Sequence, residues 1–163
     1  MSDKWDIDDY QVEKVYKAEA EWDNPELDLA QLKLIRAKPF FLNHYKRLSN
    51  KKCRELIHAI SDYYGIKCPR IFLNATFRNG EIPSFAVGHK NYIRLPVWAK
   101  TMDTICHEMA HAVTMSKGMF DAHGPIFCGA LVEIVDKFMG YEDSRDLQWA
   151  FETNSVEVEY NNI

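Results

Sequence analysis

The stretch that decides the fold is His107-Glu108-Met109-Ala110-His111. On an α-helix, four residues advance the chain about 6 Å and rotate it only about 40° past one full turn. Two imidazoles at that spacing leave the same helix face and can both reach one zinc ion, whose nitrogen ligands sit at about 2 Å. Glu108 then flanks the ion without ligating it, where a general base can take a proton from water. The pattern needs a helix around it, and the flanking residues predict one. Thr101 is a suitable N-cap, Met102, Ile105, Met109 and Val113 make an apolar face, and Gly118 closes a helix over 102–117.

A catalytic zinc takes three protein ligands and keeps one position open. Downstream, His123, Asp121 and Glu133 are the candidates. Lys117 stands where an extended HExxHxxGxxH pattern would place a third histidine, which excludes that class. Glu133 follows His111 on the next helix, as the third ligand does in thermolysin-like enzymes, but ten helical residues separate it from His123 by about 15 Å, so the two do not easily share an ion. His123 is the preferred ligand. After Gly118 the chain has room to turn back, and Gly124-Pro125 fixes the start of the following helix, which Gly140 ends.

N-terminal to the motif, residues 71–95 read as a β meander. Asn79-Gly80 predicts a two-residue hairpin turn between strands near 71–77 and 82–87, and the turn 88–91 leads into Tyr92-Ile93-Arg94-Leu95. Earlier still, three helices are expected. The first covers 7–20, with Ile7, Val12, Val15 and Tyr16 in phase. The second runs through Leu27, Leu29, Leu32 and Ile35. The third starts at the N-cap Ser49 and stops at Gly65. At the other end, Val156-Glu157-Val158-Glu159 alternates like a short strand.

With 163 residues and 47% hydrophobic side chains, the chain supports one domain with a true core. Its net charge of −4 is unevenly spread: residues 1–30 carry −7, residues 31–139 carry +8 and residues 140–163 carry −5. The chain has no apolar run long enough for a membrane span, and its acidic start lacks a secretory pattern, so a soluble cytoplasmic protein is expected. Cys53, Cys68, Cys106 and Cys128 form no Cys-x-x-Cys pair, and reduced, buried thiols are the expectation.

The combination of His107-Glu-Met-Ala-His111 with His123-Gly-Pro-Ile-Phe127-Cys128 resembles the SprT-like metallopeptidases, the family that includes Spartan. The resemblance covers roughly residues 50–140. It implies an α+β zincin-like fold, one zinc ion held by His107, His111 and His123, Glu108 as the catalytic base, and Phe127 as packing. Two features of these 163 residues depart from the family: they contain no cysteine pairs of the kind a C-terminal zinc ribbon uses, and beside the core they offer only acidic segments where DNA- and partner-binding extensions are expected.

The expectation is thus an acidic helical segment (1–40), a metallopeptidase core (41–140) and an acidic tail (141–163). A small antiparallel sheet precedes the HExxH helix and a second helix follows it. The substrate would be a protein or peptide, an extended chain adding to an exposed strand of the meander. The alternative is a non-enzymatic zinc-stabilised module that binds DNA or a protein partner. For DNA the support is the cationic centre, with Lys46, Arg47, Lys51, Lys52 and Arg54 clustered at one helix entry. In a third reading the acidic segment covers that centre and keeps the peptidase latent. His44, His58 and His89 carry little functional weight, His58 being placed on the apolar face of its helix. No residue stands out as the oxyanion partner.

Overall fold

A computed structural model describes residues 8–23 and 46–160. Its architecture is α+β: the described residues form five α-helices and a three-stranded sheet. In chain order these are α1 (Val12–Asp23), α2 (Asn50–Tyr64), β1 (Arg70–Leu73), β2 (Val87–Gly88), β3 (Tyr92–Leu95), α3 (Met102–Ser116), α4 (Pro125–Phe138) and α5 (Tyr141–Thr153). The expected helix through Leu27 and Ile35 lies outside the described residues, as do Ile7 and His44.

Helix α2 has the boundaries its sequence dictates. The Ser49 hydroxyl accepts from the Lys52 amide at 3.1 Å, and Gly65 leaves the helix at φ 63°. Cys53, Ile57, Ile60 and Tyr64 form its buried stripe, while His58 is exposed. His58 therefore faces solvent and not the apolar side expected of it, because residue 58 falls just past the Cys53–Ile57 row. The basic cluster at the start of α2 is also exposed.

Helix α3 is the centre of the molecule. Ile105, Cys106, Met109, Ala110, Ala112 and Val113 are all fully buried, so it is enclosed on nearly every side. It packs against α2, α4 and the sheet. Gly118 closes it as expected: at φ 71°, Gly118 donates to Met115 O at 3.1 Å and Met119 donates to Thr114 O at 2.9 Å.

The sheet departs from the meander. Its order is β1-β3-β2, with β1 parallel to β3 (Ile71 beside Ile93, Leu73 beside Leu95) and only the two-residue β2 antiparallel to β3. A turn does form at Asn79-Gly80. It is three residues long: Gly80 donates to Phe77 O at 2.9 Å and Phe77 donates to Glu81 O at 2.8 Å. Gly80 alone within it has a positive φ, 86°. No strands flank it, so no hairpin follows.

The C-terminal region also differs. Residues 141–153 are helix α5, packed on both α4 and α1, and residues 156–159 form no strand. Leu147, Ala150 and Phe151 bury one face of α5. The four cysteines are free thiols, three of them buried. No described helix is long and apolar enough to cross a membrane.

Candidate metal centre

Helix α3 presents His107 and His111 on one face, and the loop 118–124 returns His123 to them. Ligand atoms of the three imidazoles all lie within 4.8 Å of one another, close enough to hold a metal ion. His123 Nε2 and His107 Nε2 are 3.4 Å apart.

Asp121 builds the loop that makes this possible. Its carboxylate accepts from the Ile126 and Phe127 amides at 2.8 and 3.0 Å, capping the start of α4, so it is not a member of the cluster. Ala122 is held at φ 58°, a left-handed conformation costly for a residue with a Cβ. The cap and Gly124, which donates to Asp121 O at 2.9 Å, hold it there. Phe127, fully buried, lies almost parallel to the His111 ring, with centroids 4.3 Å apart and planes inclined by 23°. Glu133 is elsewhere: it accepts from the Tyr64 hydroxyl at 2.8 Å.

Two carboxylates missed in the sequence complete the arrangement, and both come from the N-terminal segment. His107 Nδ1 meets Glu19 Oε1 at 2.6 Å, and His123 Nδ1 meets Asp9 Oδ2 at 2.9 Å. A carboxylate accepts, so each Nδ1 carries the hydrogen and each Nε2 is left for another partner. Asp9 Oδ1 also accepts from the His123 amide at 3.1 Å. Gln11, only 1% exposed, donates to His123 O at 2.9 Å and to Glu157 O at 3.0 Å. Tyr16 sets its ring against His107 and His123, with centroids 6.2 and 5.0 Å away. The described part of the acidic segment thus lies on the histidine cluster itself. Only its charge is visible in the sequence; nothing in its spacing reveals partners some hundred residues away.

The electrostatics separate the three imidazoles. Burial opposes charge on His107, but Glu19 more than offsets it and lifts the pKa to about 9. His111 is driven well below its ordinary value by burial and then by the neighbouring imidazoles. Its Nδ1 is buried with no hydrogen-bond partner among the described residues. His123 is lowered by burial, with the Asp9 hydrogen bond opposing. Glu108, 6% exposed, lies 4.0 Å from His107 Nε2, and burial pushes its carboxyl up against the pull of His107.

Strand β2 lies directly on this part of α3. A Cβ on Gly88 would come within 2.0 Å of the Glu108 carbonyl oxygen, so only glycine permits the approach. A cavity of about 420 Å³ opens beside His107 and Glu108, between α1 and the segment 84–86 that leads into β2. No family model matches this chain, and neither a curated protein nor a solved structure does.

Proposed function

We propose that the protein is a zinc-dependent peptidase of SprT-like, zincin-like design. In this reading His107, His111 and His123 hold the ion and Glu108 is the general base. The observation that carries it is the convergence of the three imidazoles with a buried carboxylate adjoining them. Two nitrogens at about 2.05 Å from a tetrahedral zinc stand about 3.3 Å apart. The 3.4 Å between His107 Nε2 and His123 Nε2 fits that value. Glu19 and Asp9 behind two of the rings match the carboxylate–histidine pairing that fixes tautomer and ring orientation in metal sites.

A bound zinc ion supplies Lewis acidity toward water and toward a carbonyl oxygen. The remaining work falls to the chain. Glu108 takes a proton from the attacking water and returns it to the leaving amine nitrogen. Burial strengthens Glu108 as a base, and its place one residue after His107 aims it along the cavity. Asp9 and Glu19 keep the rings from rotating. Strand β2, an edge of the sheet beside Glu108, offers backbone to an extended polypeptide, so recognition needs little sequence.

A purely structural zinc site has no use for a buried carboxylate adjoining its first ligand, which disfavours the non-enzymatic module. The test is digestion of an unfolded polypeptide by the full chain. Cleavage should be lost on chelation and restored by zinc. Intact substrate at stoichiometric zinc would refute the reading.

A further inference from the structure

The cavity beside Glu108 has a chemistry that the proposed hydrolysis does not use. Trp22, Phe85 and Trp98 form its walls, together with the Tyr16 ring. The Trp98 indole donates to Pro83 O at 2.8 Å, which ties the segment before β2 to the turn after β3. Three carboxylates, Glu19, Asp103 and Glu108, line it as well, and among the described lining residues there is no lysine or arginine.

Two of those carboxylates are engaged, Glu19 on His107 and Glu108 beside it. Asp103 differs. It sits in the first turn of α3, where a negative charge suits the helix dipole. Asp103 lines the cavity, and its Oδ1 is buried with no hydrogen-bond partner among the described residues, so the carboxylate is desolvated and not yet compensated. Asp9, Glu19 and Glu108 carry three negative charges, already more than the two of a divalent ion at the histidines, so Asp103 is not needed to balance it. A volume of about 420 Å³ lies within the range of roughly 300–1,000 Å³ typical of ligand sites.

Aromatic walls around a spare carboxylate suit one kind of group: a cation on an apolar stem. We propose that this cavity is a specificity subsite for a lysine or arginine side chain of the substrate, next to the scissile bond. The assignment rests on the peptidase reading. The stem lies along Trp98 and Phe85, and the ammonium or guanidinium donates to Asp103.

The test uses the zinc-loaded full chain and phosphinic peptides that differ only in lysine or its uncharged isostere norleucine, placed on either side of the phosphorus. Calorimetry should show the lysine peptide binding tighter at one placement by roughly tenfold to a hundredfold. In Asp103→Asn that preference should shrink to about threefold or less, with zinc content and norleucine binding unchanged. Phe85→Leu, at a half-exposed position that folding tolerates, should weaken lysine binding about threefold. Mapped cleavage sites in an unfolded protein should cluster at lysine and arginine. Equal binding of both peptides by the parent chain overturns the subsite and leaves the peptidase standing. Equal loss of both in Asp103→Asn overturns it too. Zinc-loaded protein that binds neither peptide refutes the peptidase reading, and the subsite with it.

Discussion

Helices α3 and α1 both reach the three histidines, and they do different jobs there. In the proposed reading, helix α3 supplies two ligands and the base within five residues by its own periodicity. Helix α1 and the residues before it supply no ligand. They hold two of the rings from behind through Asp9 and Glu19, and cover them with Tyr16. The contrast teaches that the pairing of His107 with His111 is a local property of the helix, whereas His123 and the orientation of the rings depend on tertiary structure. It also changes the reading of the acidic segment. As a shield it would come away without harm; as described, Val15 and Ala18 are fully buried and Trp22 nearly so.

The most severe way to break the comparison is to delete residues 1–23. Each large apolar side chain lost from the core costs about 1.5–3 kcal/mol, against a total stability on the order of 5–15 kcal/mol. The truncated protein should lose cooperative thermal unfolding and bind zinc poorly. A well-folded, more active truncation would restore the latent reading.

Single ligand removals come next. His107→Ala, His111→Ala and His123→Ala should each weaken zinc binding by two to three orders of magnitude, since about a third of a binding energy on the order of 10 kcal/mol goes with one ligand. Competition with a coloured chelator measures this. An intact site in His123→Ala would remove the third ligand from the account.

The orienting carboxylates should matter less, and this sharpens the division between the helices. Asp9→Asn and Glu19→Gln are each expected to cost about tenfold to a hundredfold in zinc affinity. Unchanged affinity in both would reduce the N-terminal segment to packing alone. The smallest effect belongs to Glu133→Ala. It should leave zinc binding intact and lower stability by about 1 kcal/mol through the lost Tyr64 hydrogen bond, read from denaturant unfolding.

Where the determinants are local, the sequence is legible. Ser49 and Gly65 mark the ends of α2, Gly118 ends α3 and Pro125 starts α4, because caps and stops act within a few residues. His123 was reachable because a short loop leaves few places for it. The sheet was not reachable in the same way. Pairing β1 with β3 in parallel is a choice between distant segments, and the Asn79-Gly80 signal concerns only its own turn. Helix α5 was hidden by composition: its first turn carries Glu142 and Asp143, while its apolar face reduces to Leu147, Ala150 and Phe151. Asp9 and Glu19 could not be singled out from the other acidic residues around them without the fold.

Glu108→Gln tests the central claim most directly. The amide keeps the shape of the side chain and removes its basicity, so binding and chemistry should separate. Zinc content and hydrolysis of an unfolded polypeptide are measured side by side in the parent and the variant, both free of host protease. The account predicts one zinc per chain in both proteins and hydrolysis in the parent only, reduced at least a hundredfold in Glu108→Gln. Equal hydrolysis by the two proteins, or a parent that carries zinc and cleaves nothing, would contradict it.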